Sequence, residues 1–162
     1  MGDRSNINII QSRNESGGYN GINLYSHWGG LDPQLKVLAA LARRSITDTR
    51  ADWGFTALLR LLLIKDPDVM FEEAWSTTHI SSAKVFSVET LREAEIMQMD
   101  NEHQILAIDF VNDRIVYGFG ERDGADVIVP FTQDGATELY ALIEKRIRPE
   151  YRRDYLNMDT LL

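Results

Sequence analysis

The chain has 162 residues, 44% of them hydrophobic, with a net charge of -8 and no cysteine. A chain of this size buries one core without metal or disulfide cross-links, so we expect a single domain over residues 1–162 whose end, 148–162, is a charged tail. The lack of cysteine excludes disulfides, thiolate metal sites and a cysteine nucleophile, and the acidity disfavours direct binding of nucleic acid. Because no apolar run is long enough for a leader or a membrane span, we expect a cytoplasmic protein that contacts no membrane.

The first third of the chain predicts a hairpin followed by a helix. Alternating apolar residues indicate a strand over residues 6–13, and a second strand covers 21–26 after a polar loop. Asp32 followed by Pro33 is typical of a helix start, since an acceptor side chain precedes a proline whose missing N–H costs nothing there. Helical spacing of leucines then predicts a helix over 33–44.

The middle of the chain predicts one helix over residues 51–65 that is apolar on nearly every side, and therefore the most buried helix. After it the pattern changes to strands, which we expect at 85–88, 104–110, 114–119 and 126–131. Asn112 and Asp113 join the middle two strands as a tight hairpin. Residues 89–99 form either a short helix or an excursion in front of the sheet.

The last predicted element is an amphipathic helix over 135–147, capped by Thr132 or Asp134. The tail after it packs, if at all, through Tyr151, Tyr155 and Leu156. This order of strands and helices predicts an α+β fold, with a mainly antiparallel mixed sheet and helices packed on one face.

The end of the second predicted strand carries an unusual set of side chains, because residues 25–30 read Tyr-Ser-His-Trp-Gly-Gly. Tyr25, His27 and Trp28 offer a stacking surface and a titratable imidazole that suit a nucleotide base. Alternatively, Trp28 plugs the end of the sheet and His27 caps the following helix or binds a carbonyl.

A second candidate group is Asp100, Asn101 and His103, which precede the strand at 104–110. Its amide and carboxylate groups suit the edge of a base or a ribose, whereas the alternative is a simple turn. Adjacent residues on a strand point to opposite faces, so Asp100, Glu102 and His103 cannot all converge with His27 on a metal ion. We therefore expect no metal site and no cofactor.

Two arginines stand out in this acidic chain as candidate ligands for an anion. Arg44 ends one predicted helix and Arg50 precedes the start of the next, and guanidinium groups pair well with phosphate. The alternative is that they form salt bridges with Asp48 and Asp52.

Four pieces of the chain resemble a family of small phage and prophage proteins without an assigned activity. They are Asn-Ile-Asn-Ile at residues 6–9, the Tyr-Ser-His-Trp-Gly-Gly signature, the helix ending at Arg44 with Arg50 and Asp52 after it, and Asp-Asn-Glu-His at 100–103. The resemblance covers the first two thirds of the chain. It departs from the family before the Asp-Asn pair, where relatives carry a Gly-Tyr-Gly-Ile-like strand and this chain has Val-Phe-Ser-Val at 85–88. The resemblance implies an accessory role against host defence or in host takeover.

These observations favour a phage or prophage accessory protein, acting in counter-defence, that sequesters a small anionic, nucleotide-like ligand without catalysis. Stacking would come from Trp28 or Tyr25, and charge neutralisation from Arg44 or Arg50. A second hypothesis is an acidic inhibitor of a host defence or nucleic-acid-binding protein, which would dock through Glu72, Glu73, Glu89, Glu93 and Glu95. A third is a hydrolase that uses His27 and the loop from Asp100 to His103. The apolar C-terminus and the tyrosine-rich tail also suit a homo-oligomer.

Overall fold

A computed structural model describes residues 3–43, 54–59, 80–96, 103–118 and 126–157. The strands are β1 (Ser5–Arg13), β2 (Tyr19–Ser26), β3 (Ser82–Val88), β4 (Ile105–Asp109), β5 (Arg114–Gly118) and β6 (Val127–Pro130). The helices are α1 (Asp32–Arg43), α2 (Leu91–Ile96) and α3 (Gln133–Glu144); residues 54–59 are also helical, and 3-10 turns follow α3 at Pro149–Tyr151 and Tyr155–Asn157. Within these residues, no helix is long and apolar enough to span a membrane.

The described strands form one mixed sheet in the order β3-β2-β1-β4-β5-β6. Neighbouring strands are antiparallel except β1 and β4, which run parallel with Ile7 opposite Leu106. The predicted α+β class with a mainly antiparallel mixed sheet is therefore confirmed.

The strand directions define one end of the sheet that matters for the rest of the molecule. β1 and β4 begin there and β2 and β5 end there, and we call it the lower end. α1 follows β2, so it begins at the lower end with Asp32 in its first turn. α3 begins at the upper end, where Gly135 lies against Pro130 of β6, and its last turn returns to the lower end.

The main core lies between the sheet and the helices α1 and α3. Ile7 and Ile9 point to this face, as their alternation predicts, and they pack with Leu38 of α1 and with Leu139 and Ile143 of α3. These side chains are almost completely buried. The two long helices therefore share one face of the sheet.

The short helix α2, one of the two alternatives predicted for residues 89–99, covers part of the opposite face of the sheet. Ile10 follows Ile9 directly, so its side chain points away from α1, as do those of Ala107 and Val116 on the neighbouring strands. Ala94 of α2 packs on this second apolar group, with Leu91 at its margin. Exposed apolar side chains in mid-sheet need such cover, which explains why residues 89–99 contain a helix there.

Several predicted boundaries move in the structure. β2 begins two residues earlier than predicted, at Tyr19, and β3 begins three residues earlier, at Ser82, because strand pairing extends beyond the apolar residues. Thr132 is the cap of α3, since its Oγ accepts a hydrogen bond from Gly135 N at 3.0 Å. Of the predicted central helix 51–65, the structure describes 54–59, where Leu58 is fully buried, and the remainder lies outside the described residues.

The hairpin between β4 and β5 is held by a buried carboxylate. Asp109 accepts hydrogen bonds from the backbone N–H groups of Val111 and Asn112, and from Arg114 Nε at 3.0 Å. Asp113 takes a positive φ of 51°, which Asp tolerates better than most residues. The predicted turn at 112–113 is therefore present.

The charged tail packs on the body of the protein through Tyr155 and Leu156. Tyr155 is 3% exposed and joins the main core beside α1, whereas Tyr151 is 68% exposed. One of the three predicted anchors, Tyr151, is therefore on the surface.

We predict that Tyr155→Ala lowers the free energy of unfolding by about 3 kcal/mol, since it empties a buried aromatic position. Tyr151→Ala is the matched control in the same segment and should change stability by less than about 0.5 kcal/mol. Urea denaturation of both variants measures the difference. Equal effects would contradict the assigned packing of the tail.

Candidate functional site

The aromatic loop after β2, residues 27–30, is organised by a buried tyrosine. Tyr25 is buried on the face of the sheet opposite α1, and its hydroxyl lies 2.9 Å from His27 Nδ1. The His27 ring in turn meets the Trp28 ring edge-on, with 4.7 Å between centroids. Trp28 is 46% exposed, so a large aromatic surface is held in a fixed orientation and open to solvent.

The two glycines after Trp28 let the chain turn from the strand into α1. Ser26 Oγ accepts a hydrogen bond from Gly29 N at 2.9 Å, and Gly30 N donates to the backbone oxygen of Asp3 at 2.8 Å. Gly30 has a φ of +55°, and a Cβ there would collide with the Asp3 carboxylate. The turn therefore requires glycine on both conformational and steric grounds.

Asp3 connects this loop to His103. Its Oδ1 lies 2.5 Å from His103 Nε2, while its backbone oxygen holds Gly30. His103 precedes β4, which lies parallel to β1, so the two strand starts meet at the lower end. Of the second predicted group, His103 is thus brought beside the aromatic loop, and Asp100 and Asn101 lie outside the described residues.

The sequence analysis missed Asp3, because its position depends on pairing between segments about a hundred residues apart. In the sequence, the only indication of a role for Asp3 is its position just before β1.

The predicted anion ligands Arg44 and Arg50 lie outside the described residues. The last described residue of α1, Arg43, is at the upper end, about 18 Å along the helix from its start. At the lower end the described positive groups include Arg146 and Arg153. The Arg146 guanidinium carbon lies 5.2 Å from the centroid of the Tyr117 ring, and Arg153 lies near Asp32 and Tyr155.

Asp32 is the most perturbed carboxyl group of this end. Burial raises its pKa above the usual value, the Arg153 guanidinium and the Tyr155 hydroxyl oppose that shift, and nearby Asp3 adds to it. Burial likewise raises the pKa of Tyr155, and the Asp32 charge adds to that shift. A proton is therefore bound more tightly at Asp32 than at an exposed aspartate.

A second polar group missed by sequence reasoning lies on the face of the sheet opposite α1. Asn6, Asn8 and Asn23 are all buried, and Asn23 Nδ2 donates to Asn6 Oδ1 at 3.2 Å and to Asn8 Oδ1 at 3.1 Å. The alternation that places Ile7 in the core also sends these asparagines to the other face, beside Tyr25. Amide pairs of this kind fix strand register, since a one-residue slip would break them.

A metal centre and an acidic docking surface are two other classes of site that the sequence raises. In that part of the chain, no group of three or more His, Asp or Glu side chains is arranged to hold a metal ion. Of the glutamates proposed as an acidic docking surface, Glu89 and Glu93 are exposed near α2, and Glu93 accepts a hydrogen bond from Glu89 N. Glu72, Glu73 and the side chain of Glu95 lie outside the described residues.

Comparison with protein-family models, with curated proteins and with solved structures finds no match to this chain.

We predict that Asp32→Asn raises the unfolding midpoint at pH 7. Because burial raises the folded-state pKa of Asp32 above 3.8, the stability that the protonated form supplies is present at low pH and is lost as pH rises through the folded-state pKa. Asparagine is close to aspartate in shape but has no charge to desolvate. The gain should therefore shrink as the pH is lowered towards 4.

Asp134→Asn is the control, since Asp134 lies in the first turn of α3 but is exposed. Thermal denaturation across pH 4 to 7 should show no gain for this variant, because it only loses a favourable charge at a helix start. A lower midpoint for Asp32→Asn at pH 7 would contradict the prediction.

Proposed function

We propose that this chain is a binding protein that captures a small nucleotide-like ligand at the lower end of its sheet, without catalysis. The observation that carries the proposal is the half-exposed Trp28 ring, which is oriented by His27 and Tyr25. Packing of the core does not explain why a half-exposed indole contacts the His27 ring, which is itself held by Tyr25. A planar base, by contrast, gains from a fixed aromatic surface on which to stack.

Polar groups suited to the rest of a nucleotide lie around the turn that follows Trp28 and the start of α1. Asp3 and His103 adjoin the Gly30 turn, two residues from Trp28, and supply acceptors and donors for a base edge. Arg153 lies near Asp32, two residues further along, and supplies positive charge. Arg153 therefore supplies a positive charge for an anion at this end, where Asp3 and Asp32 oppose it.

Binding without chemistry agrees with the partners of the two histidines. His27 is engaged by the Tyr25 hydroxyl, and His103 by Asp3. Tyr25 is buried, so we assign its hydroxyl to holding the His27 ring rather than to attacking a substrate. In the phage context that the resemblance implies, such a protein would act by removing a signalling nucleotide from solution.

A thermal-shift screen tests this function. We expect one or more of AMP, GMP, CMP, UMP and the cyclic dinucleotides to raise the melting temperature, because a ligand at 100 times its Kd stabilises the native state by about 2.7 kcal/mol. Trp28→Ala should abolish the shift while leaving the free protein folded, since the indole is half-exposed.

The control is Tyr151→Ala, which removes another exposed ring and should keep the full shift. A flat screen with the native chain, or equal shifts for native and Trp28→Ala proteins, would falsify the proposed function. After a flat screen, the hypothesis to test next would be binding to a host protein, by pull-down from host lysate.

A further inference from the structure

The two edges of the described sheet differ in how well they are protected from further strand pairing. β6, at one edge, has four residues and ends at Pro130, which has no N–H group. β3, at the other edge, has seven residues, includes no proline and carries Lys84 as its single charged side chain. Among the described strands, none pairs with the outer side of β3. β3 is therefore a long edge strand that is open to pairing.

The hydrogen bonds of the inner strands show which way the backbone groups of β2 point. Phe110 N donates to Ile10 O, so Ile10 directs its backbone groups to β4, and the preceding residue, Ile9, directs its groups to β2. Ile22 lies opposite Ile9, so it faces β1 in return. Because backbone groups alternate in direction along a strand, the residues of β2 on either side of Ile22 face β3.

The same alternation identifies the groups of β3 that face outwards. Gly21 and Asn23 face β3, where their partners Phe86 and Lys84 direct their backbone groups back to β2. The residues of β3 between and beside these partners therefore point their N–H and C=O groups to the open edge. They are Ala83, Val85 and Ser87. All three are exposed, and no backbone partner for their outward groups occurs in the part of the chain that the structure describes.

We propose that this edge is the surface on which two copies of the chain dimerise, with β3 of one copy pairing antiparallel to β3 of the other across a twofold axis. Such an axis stands perpendicular to the joined sheet, so each residue lies opposite one that points to the same face. The axis therefore passes beside a residue rather than between two residues. The sequence of β3 then decides which residue is at the centre.

Val85 is the centre that fits the strand best. With Val85 opposite its own copy, Ala83 lies opposite Ser87 of the second copy, and every outward N–H and C=O group of these residues meets its complement. A centre at Lys84 would place like charges directly opposite each other. A centre at Phe86 would place Ala83 opposite a residue beyond the end of β3. The strand is therefore self-complementary in one register.

The side chains also favour a second copy as the partner. Val85 is 78% exposed, and at the axis this apolar, β-branched side chain contacts its own copy. Lys84 lies opposite Phe86 of the second copy, so no like charges of β3 are directly opposed, although each copy carries a net charge of -8. Two short edges bury less surface than a standard interface, so we expect a weak and reversible dimer.

Sedimentation velocity of the full chain tests the dimer. Between about 1 and 300 μM, the average mass should rise reversibly towards twice that of the monomer, as is typical of a small interface. Val85→Pro should keep the chain monomeric throughout, because it removes an outward N–H group that the monomer does not use. Val85→Lys keeps that N–H group but opposes like charges at the axis, and should weaken the dimer at least tenfold.

The matched control is Ile128→Pro, at the opposite edge of the sheet. Phe131 N donates to Asp113 O, so alternation directs the N–H group of Ile128 to the open side of β6, and Ile128 is 56% exposed. This variant should dimerise like the native chain. A native chain that stays monomeric over the whole range, or a dimer that folded Val85→Pro or Val85→Lys retains in full, would overturn the proposal; circular dichroism establishes which variants are folded.

Cysteine cross-linking tests the register, because the chain has no cysteine of its own. Hydrogen-bonded partners in an antiparallel pair have Cα atoms about 5.5 Å apart, which a disulfide can span. Air oxidation should therefore convert most of the Val85→Cys variant into a covalent dimer. Lys84→Cys, which lies diagonally from its own copy at about 7–8 Å, should cross-link at least fivefold less, and Ile128→Cys should stay monomeric.

Equal cross-linking of the three cysteine variants would indicate random collision, and faster cross-linking of Lys84→Cys would indicate another centre; either result overturns the register. Neither experiment depends on the nucleotide screen, because β3 contains none of the proposed ligand groups. Failure of the dimer and failure of the proposed function are therefore distinguishable.

Discussion

The parallel pairing of β1 with β4 is the constraint on which the rest of the structure depends. It is the one parallel contact among the described strands, and it brings the first residues of the chain beside residues 103–106. The Gln34 amide holds the two strand starts together through Asn6 O and Gln104 O. Without that contact Asp3 would not reach His103, and the turn before α1 would lose the backbone acceptor of Gly30 N.

At the lower end of the sheet, the same residues stabilise the fold and form the candidate site. The Gly29–Gly30 turn is needed to reverse the chain into α1, and the same turn leaves Trp28 at the surface. Tyr25 belongs to the sheet by its backbone and to the aromatic loop by its hydroxyl. A side chain with both roles is rigid, and rigidity in a free site reduces the ordering cost of binding.

The parts of this arrangement that the sequence reveals are the local ones. Apolar alternation located β1 and β2, and Asp32-Pro33 located the start of α1, because each depends on neighbouring residues only. The candidate site at Tyr25, His27 and Trp28 could be predicted because packing at the end of a strand does not require these side chains. The contacts of Asp3 and of the Asn6–Asn8–Asn23 cluster could not be predicted, because they form only when distant strands pair. The cover of Ile10 by α2 was also missed, although two consecutive isoleucines at residues 9 and 10 signal apolar side chains on both faces.

The acidity of the chain and the proposed capture of an anionic ligand are compatible if the electrostatic field near the candidate site is considered. Solvent-exposed charges farther apart than about 8–10 Å are largely screened at physiological salt, so distant acidic residues act weakly at the exposed Trp28 ring, whereas Arg153 and the start of α1 act at short range near Asp32. Asp3 and Asp32 work against an anion at the same end, so a phosphate group would have to lie away from these two carboxylates. The net charge of -8 would also oppose the binding of longer nucleic acids, which carry many phosphate groups.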